Sequence, residues 1–235
     1  MKLNYSYFYS LKGEFEAEGS TRQNIAAEAL FAARNGLDYL VKIGGCEAKS
    51  DICYLADLGI TSVVAPMIES GFAMQKYMEM LQKFSFVQVG VTIETITAVE
   101  NIDEIIKQGN KLTKLTIGRT DLSASFGGGD VEASRIINIV KTVAKKARRA
   151  NLKVVMGGGV SKSTFELLEG DPELRELLDF VETRKTVIPI ERFLDKEALV
   201  QAIELEKVLM GRRSHEANRI LLDVNNRLNC LTKRA

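Results

Sequence analysis

The stretches FVQVGVTIET, residues 86–95, and LTKLTIGRTDL, residues 112–122, decide the fold class of this chain. Each is a short run with several β-branched residues that reaches an acidic side chain near its end, Glu94 in the first run and Asp121 in the second. A segment of helical character separates the two runs. Strands joined through a helix lie parallel in one sheet, so the runs predict a βαβ unit.

The same unit recurs along the chain. Five further β-type runs begin at Leu11, Tyr39, Thr61, Leu152 and Leu178. The polar C-terminal ends of the first five runs in chain order are Glu18, Lys42, Glu69, Glu94 and Asp121. These ends are separated by 24, 27, 25 and 27 residues. Such regular alternation of strand and helix predicts an α/β protein with a parallel sheet.

The polar residues of the strands indicate how the sheet closes, because side chains alternate between two faces along a strand. In the first run one face carries only charged residues, namely Lys12, Glu14, Glu16 and Glu18. An open doubly wound sheet buries both faces of its strands, whereas a closed barrel collects the polar groups of one face in its lumen. We therefore predict a TIM-type (β/α)8 barrel with an extended C-terminal helical segment.

The limits of the barrel follow from its first and last segments. Seven strands are clear, and the eighth must come from residues 4–10 or be missing. After Asp195, apolar residues recur at helical spacing on both sides of Gly211. We expect residues 1–195 to form the barrel and residues 196–235 to form C-terminal helices. These helices would pack on the barrel or on a neighbouring subunit, which predicts a homo-oligomer.

Composition and charge exclude several classes of protein. The chain has 235 residues, 32 of them basic and 31 acidic, and its formal net charge is +1. No overall field attracts nucleic acid or a membrane surface, and no segment reads as a leader or a membrane span. The odd set Cys46, Cys53 and Cys230 indicates free thiols rather than a disulfide framework. These features predict a cytoplasmic protein whose partner is a small molecule.

Glu94 and Asp121 form the most specific candidate site. They end consecutive predicted strands, where barrel enzymes place their catalytic groups. Two neighbouring carboxylates are hard oxygen ligands of the kind that Mg²⁺ or Mn²⁺ prefers, with water at the remaining positions. Spacing alone leaves a structural alternative open, in which Glu94 pairs with a cationic side chain of the lumen and Asp121 caps the following turn.

Three motifs in this order resemble the HpcH/HpaI aldolase and citrate lyase family, namely PMIES, VTIET followed by NIDEII, and IGRTDLSASFG. The resemblance extends from Lys42 to Gly159. It implies that Glu94 and Asp121 bind the divalent metal. It also implies reversible cleavage of a carbon–carbon bond in a small 2-oxo or hydroxy carboxylic acid, through an enolate that Mg²⁺ or Mn²⁺ stabilises, without an organic cofactor.

Two departures from the family pattern concern the cationic group that neutralises the enolate and the group that transfers the proton. The family usually offers an arginine on the strand before PMIES, where this chain has Lys42, and its pyruvate aldolases use a histidine near the end of an earlier strand. The single histidine here is His215, in the predicted C-terminal segment. We therefore expect Glu16 or Glu18 to transfer the proton, unless both only form ion pairs with lumen lysines. The substrate carboxylate would be held by Arg22 or Lys42.

Residues beside the acidic pair are candidate substrate contacts. These are Gly118, Arg119, Thr120, Gly158 and Gly159. The two glycines lie in GGGVSKST, which offers free N–H groups at a helix start, where phosphate or carboxylate can bind. Alternatively they form a tight turn that Ser161 caps. Glu69, at the end of PMIES, either supports the metal site or is a helix-start carboxylate, and we favour the second interpretation.

Three other functions stay compatible with these patterns. A citrate-lyase-type enzyme would cleave an acyl-CoA thioester. An isomerase or mutase would use the same enolate chemistry without releasing a fragment. A non-catalytic relative, suggested by the missing histidine and arginine, would only bind a ligand.

Overall fold

Eight short strands close into a barrel in the order in which they occur along the chain. The computed structural model describes residues 3–232, with side chains as far as residue 228. The strands are β1 (Ser10–Glu14), β2 (Asp38–Lys42), β3 (Ser62–Ala65), β4 (Gln88–Ile93), β5 (Lys114–Gly118), β6 (Lys153–Gly157), β7 (Phe180–Glu182) and β8 (Thr186–Pro189). The predicted barrel class is confirmed.

Helices surround the barrel and connect its strands. A 3₁₀ turn, Tyr5–Tyr7, precedes β1. The α-helices are α1 (Arg22–Arg34), α2 (Lys49–Asp57), α3 (Gly71–Leu81), α4 (Ile96–Glu100), α5 (Ile102–Gln108), α6 (Arg119–Ser125), α7 (Ser134–Arg149), α8 (Lys162–Gly170), α9 (Pro172–Leu177), α10 (Ile190–Phe193) and α11 (Lys196–Thr232). Within residues 3–232, none of these helices combines the length and apolarity that a membrane crossing needs.

The last strand runs opposite to the other seven. β1 to β7 pair in parallel, whereas β8 pairs antiparallel with both β7 and β1. The run predicted as one strand from Leu178 divides at a tight turn, where the N–H of Thr183 donates to the carbonyl of Thr186 over 2.9 Å. So short a connection cannot cross over to a parallel neighbour, and the chain reverses. The expectation that residues 4–10 supply the eighth strand is therefore wrong.

Two apolar layers support the barrel, one on each face of the strands. The outer layer packs between strands and helices, and the inner layer fills the lumen with Leu40, Val64 and Val187, against which Phe180 packs. Val41 belongs to the outer layer although it is adjacent to Leu40 in the chain. Leu40 and Val41 thus point to opposite faces, as neighbouring side chains of a strand do.

α11 is one continuous helix of 37 residues. Its first half buries Ala198, Ala202, Leu205 and Leu209 against the barrel. Its second half leaves a set of apolar side chains exposed, namely Ile220, Leu221, Leu222, Val224 and Leu228. The expectation of several C-terminal helices is wrong, because the helix continues through Gly211. Docking of the exposed stripe on a neighbouring subunit stays a prediction.

The predicted state of the cysteines can be checked for two of the three. Cys46 and Cys53 are free thiols, as expected from their odd number and spacing. The side chain of Cys230 lies outside the described residues. Nothing in the fold therefore depends on a disulfide among the side chains as far as residue 228.

A buried lysine lies at the amino-terminal end of the lumen. Lys114 opens β5, and its Nζ donates to Ser62 Oγ and to Gln88 Oε1 over 3.2 Å in each case. Burial disfavours the ammonium, and the carboxylates of Glu182 and Asp38 offset only part of this effect. The pKa of Lys114 consequently falls to about 8.

Replacing Lys114 with methionine should change the pH dependence of stability. Between the folded pKa of about 8 and the unfolded value near ~10.4, the unfolded chain binds a proton that the folded protein does not. The unfolding free energy of the wild type should therefore rise relative to Lys114→Met, by about 2 kcal/mol from about pH 7 to about pH 9.5. Urea unfolding at the two pH values measures this difference.

The matched control for this experiment is Lys153→Met. Lys153 opens the neighbouring strand β6, but its side chain is largely exposed and forms an ion pair with Asp179. We expect this variant to follow the pH dependence of the wild type. Parallel stability curves for wild type and Lys114→Met would show that the ammonium is not destabilised by burial.

Candidate active site

A cavity of about 450 Å³ opens at the carboxyl ends of the strands. The last residues of five strands line it, namely Glu14, Lys42, Gly118, Gly157 and Glu182. Glu94 and Asp121, which follow β4 and β5, line the same cavity. Enzymes built on this kind of barrel carry their active sites at this end. The structure thus brings the two predicted metal ligands together at the expected place.

Glu94 is held in one orientation by its neighbours. The residue is 3% exposed, and its Oε1 accepts hydrogen bonds from Thr92 Oγ1 over 2.6 Å and from the N–H of Met67 over 3.1 Å. Within the described part of the chain no hydrogen bond or ion pair reaches Oε2. A Cβ at Gly118 would lie 2.8 Å from Oε2, so glycine keeps the space beside this oxygen free. One oxygen is fixed by protein groups and the other is left for a ligand.

The backbone of Met67 is strained where it holds Glu94. Met67 has φ 51°, in the left-handed region that non-glycine residues rarely adopt, although its side chain is 50% exposed and has little packing to gain there. The conformation directs the N–H towards Glu94 Oε1 and Thr92 Oγ1. Strain of this kind persists at functional sites when the surroundings enforce it.

Asp121 lies in the first turn of α6 and is exposed. The residue before the helix is Gly118, so no side chain caps the helix start. Asp121 itself forms neither a cap nor an ion pair within residues 3–232. The helix dipole favours a carboxylate at this position. β4 and β5 are neighbours, with Ile93 opposite Ile117, so the two strand ends that carry Glu94 and Asp121 are adjacent.

Two lysines and two glutamates form ion pairs across the cavity. Lys42 Nζ lies 2.8 Å from Glu14 Oε1, and Lys12 Nζ lies 2.8 Å from Glu182 Oε1 and 3.7 Å from Glu14 Oε2. Burial raises the pKa of Glu14, but the ammonium groups of Lys12 and Lys42 outweigh it and lower this pKa overall. Burial likewise opposes the charge of Lys12, whose pKa is raised by Glu182 and Glu14. Lys12 and Glu14 therefore keep their charges at neutral pH.

The charge balance of the cavity allows a test of whether a divalent cation fits. Its lining contains five carboxylates and three basic groups, a formal excess of two negative charges. Glu94 and Asp121 are the carboxylates without an ion-pair partner in the described residues. Among these residues there is no cluster of three or more metal-ligating side chains. Two hard oxygen ligands fit Mg²⁺ or Mn²⁺, which commonly keep water at other positions.

The structure does not place Glu16, Glu18 and Arg22 in this cavity. β1 ends at Glu14, and the chain turns immediately afterwards, with the N–H of Ser20 bonded to the carbonyl of Phe15 over 2.9 Å. The expectation that Glu16 and Glu18 continue the lumen face is therefore wrong.

Each of these three residues has other surroundings. Glu16 is exposed, and Glu18 forms buried ion pairs with Lys185 and with Arg213, the latter over 3.1 Å. Arg22 donates to Ser50 Oγ over 3.0 Å. The cavity carboxylate of the first strand is Glu14 instead. The capping box that begins at Thr21 marks only the start of α1.

Arg119 was expected to contact substrate, but its side chain is 0% exposed. It donates to the carbonyls of Gly157 and Gly158 over 3.2 and 2.8 Å, and to Glu132 over 2.7 Å. A further bond goes to Thr164 over 3.3 Å. The guanidinium therefore joins the ends of β5 and β6 to α8, and it is not available to a ligand.

The other predicted substrate contacts line the cavity: Gly118, Thr120, Gly158 and Gly159. Gly158 has φ 81°, and a Cβ there would lie 2.5 Å from the N–H nitrogen of Thr120. A tight glycine turn is thus required, and Ser161 caps the next helix as in the structural alternative. Glu69 does not line the cavity; it accepts a hydrogen bond from Thr95 Oγ1 over 2.6 Å.

No local pattern in the sequence indicates that α11 reaches the cavity. Leu199, Ala202, Ile203 and Glu206 line one side of it. Their helical spacing was visible in the sequence, but the surface that they face is formed by distant segments. Thr92 and Glu182, from β4 and β7, also line the cavity.

Charged groups from several strand ends that converge on one cavity are typical of barrel enzymes. A model of the HpcH/HpaI aldolase/citrate lyase family matches residues 21–161. The match covers more than half of the chain, and the chain belongs to this family. The resemblance seen in the sequence motifs is confirmed, and family membership supports an enzyme of the lyase or aldolase type.

Several solved structures share the fold. A HpcH/HpaI aldolase/citrate lyase family protein from Burkholderia cenocepacia J2315 is 15% identical with a TM-score of 0.64, over 86% of this chain and 87% of that chain. A HpcH/HpaI aldolase from Desulfitobacterium hafniense DCB-2 is 16% identical with a TM-score of 0.58, over 74% of this chain and 85% of that chain. The citrate synthase SbnG is 13% identical with a TM-score of 0.62, over 89% of this chain and 86% of that chain. A search among curated protein sequences finds no match.

The strain at Met67 can be measured by comparing two substitutions. A glycine adopts φ 51° without strain, whereas a β-branched valine is disfavoured there. We expect Met67→Val to be about 1 kcal/mol less stable than Met67→Gly. The control is Val87, an exposed residue whose φ is not positive. There the wild-type valine should be more stable than Val87→Gly. Chemical denaturation gives both differences, and a more stable valine form at both positions would contradict strain at Met67.

Arg119→Met should destabilise the protein by about 3–5 kcal/mol, because Glu132 loses its ionic partner and the two glycine carbonyls lose their donor. Arg119→Lys keeps the charge but cannot reach all four acceptors, and its loss should be smaller. Exposed Arg135, which donates to the carbonyl of Phe126, provides the control variant Arg135→Met. Urea unfolding ranks the three variants. Equal stabilities of Arg119→Met and Arg135→Met would show that the buried network has no such role.

Proposed function

We propose that this protein is a divalent-metal-dependent carbon–carbon lyase or aldolase that acts on a small 2-oxo or hydroxy carboxylic acid. The observation that carries the proposal is the pair Glu94 and Asp121, which line one cavity at the ends of two adjacent strands. Membership in the HpcH/HpaI aldolase/citrate lyase family supports lyase chemistry.

The excess of two negative charges in the cavity supports a requirement for a divalent cation. Without a counter-ion, such a cavity repels an anionic substrate. Glu94, through Oε2, and Asp121 would hold Mg²⁺ or Mn²⁺, while water and substrate complete the coordination. When bound, the cation supplies charge stabilisation for substrate oxygens that become more negative as the carbon–carbon bond breaks.

The reaction needs no oxidant or reductant. In a 4-hydroxy-2-oxo acid, the bond between C3 and C4 breaks and its electron pair stays on C3. The C4 hydroxyl loses a proton and becomes an aldehyde, and C3 gains a proton, so the second product is pyruvate. The protein therefore has to accept one proton and to supply one.

We assign this proton transfer to the pair formed by Glu14 and Lys42, which lie 2.8 Å apart on the cavity wall. The lowered pKa of Glu14 keeps the carboxylate ionised, as a proton acceptor must be. The ammonium of Lys42 places positive charge where the substrate gains negative charge. Glu16, Glu18 and Arg22 have no part in this proposal, because they lie outside the cavity lining.

The substrate carboxylate would bind on the opposite side of the metal site. Thr120 offers a hydroxyl, and the glycine turn at Gly158 and Gly159 exposes backbone to the cavity. Backbone N–H groups in glycine turns are suited to carboxylate binding because no side chain blocks their approach. Arg119 contributes indirectly by holding the carbonyls of this turn.

Glu94→Gln and Asp121→Asn test the metal site. A neutral amide is a weaker ligand for a hard cation, so kcat/KM for Mg²⁺-dependent release of pyruvate from 4-hydroxy-2-oxo acids should fall by at least ~100-fold. The affinity for Mn²⁺, followed by electron paramagnetic resonance, should fall in parallel. Glu100→Gln, which changes an exposed carboxylate on α4, is the control and should alter neither quantity.

Unchanged turnover in Glu94→Gln would remove the metal assignment. Product analysis with mass balance distinguishes the proposal from its rivals. One product of the same mass as the substrate would indicate an isomerase or mutase, and turnover confined to acyl-CoA thioesters would indicate a citrate-lyase-type enzyme.

A further inference from the structure

One wall of the cavity is formed by α11 and is largely apolar. We call Leu199, Ala202, Ile203 and Glu206, which all line the cavity, the α11 wall. Their spacing of three and four residues places them on one face of the helix. Three of the four side chains are hydrocarbon, so this wall differs from the charged strand ends that form the rest of the mouth.

The polar and apolar parts of the cavity differ in burial. Thr92, Glu94 and Thr116 are buried polar residues, whereas Ile203 of the α11 wall is 46% exposed. Val160, from the loop after β6, adds further apolar surface to the lining. Apolar side chains that face a cavity stay in contact with water until an apolar ligand covers them. The cavity thus combines charged strand ends with apolar surface on α11, beside the ion pair of Glu206 with Arg184.

The cavity is also larger than a three-carbon acid requires. Its volume of about 450 Å³ lies in the range of roughly 300–1,000 Å³ that is typical of pockets for larger ligands. A small substrate whose carboxylate lies at Thr120 and the glycine turn leaves space next to the α11 wall. Space lined by hydrocarbon side chains is unfavourable when it contains only water.

The α11 wall is fixed at both ends by hydrogen bonds and ion pairs. Near its start, Gln201 Oε1 accepts a hydrogen bond from the N–H of Asn4 over 2.8 Å. Beyond its end, Arg213 forms ion pairs with Glu18 over 3.1 Å and with the buried Glu28. A fixed apolar surface can discriminate between substrates, because it does not rearrange at low cost to fit each one.

We propose that the α11 wall selects substrates that carry an apolar alkyl or aryl substituent at the end away from the metal-binding carboxylate. This inference rests on the proposed function, because the orientation of the substrate follows from Glu94 and Asp121. The substituent packs mainly on Leu199 and Ile203. Each methylene group that the wall covers raises kcat/KM about fourfold. The gain lies mainly in KM, since the wall contacts a part of the substrate that does not react.

The test uses 4-hydroxy-2-oxo acids whose C4 substituent grows from methyl to hexyl. In the wild type, kcat/KM for Mg²⁺-dependent cleavage should rise with each methylene. Ile203→Asn places a polar amide on the wall, and the ratio of kcat/KM for the hexyl and methyl substrates should fall at least ~10-fold. Val200→Asn is the matched control, because Val200 lies on the same helix, is 44% exposed and does not line the cavity.

A binding experiment separates failure of this inference from failure of the proposed function. Unreactive 2-oxo acids from pyruvate to 2-oxooctanoate are titrated into wild type, Ile203→Asn and Val200→Asn in the presence of Mg²⁺. One outcome is that no substrate is cleaved, but affinity rises with chain length in wild type and Val200→Asn and not in Ile203→Asn. The proposed function would then be wrong, whereas the role of the α11 wall in binding apolar substituents would be supported. Affinity and kcat/KM independent of chain length, or equal responses of the two variants, would overturn the role of the wall.

Discussion

Charge placed inside a barrel has to be neutralised inside it. This constraint determines how the side chains are arranged in the cavity at the carboxyl ends of the strands. Lys12 and Lys42 bring two positive charges to the lumen face, and Glu14 and Glu182 balance them. Because each lysine is neutralised by a glutamate of these pairs, neither needs Glu94 as a partner. The charge of Glu94 is therefore available to another ligand. The proposed metal site therefore depends on the two lysines as much as on its own carboxylates.

The framework of the site could be predicted because it depends on local periodicity. Alternation along each strand separates Leu40 and Lys42, which face the lumen, from Val41, which faces the helices. Adjacent parallel strands end at the same edge of the sheet, so the carboxylates that follow β4 and β5 reach one cavity. The motifs that indicate the family lie in these same segments, and for that reason fold and family follow from one part of the sequence.

The remaining features depend on contacts between distant parts of the chain. Arg119 is charged and lies two residues before Asp121, but its bond to Thr164 spans 45 residues, and no local pattern shows that the guanidinium turns away from the cavity. Glu18 continues the alternation of β1 in the sequence, yet its partner Lys185 lies 167 residues away. The contribution of α11 to the cavity lining likewise depends on contacts between distant parts of the chain. A strand pattern gives the direction of side chains only while the strand continues, and β1 stops at Glu14.

The reversal of β8 also determines the direction of α11. Tyr7, which precedes β1, donates to Asp195 just before the helix over 2.6 Å, whereas Arg213 within the helix contacts Glu18, which follows β1. α11 therefore runs in the same direction as β1, while a helix that follows a parallel strand runs back against it. The half of the helix that follows Arg213 consequently projects on the side of the cavity. A molecule that bound the projecting half would therefore meet the ion pairs of Arg213 with Glu18 and Glu28 before it could displace the α11 wall.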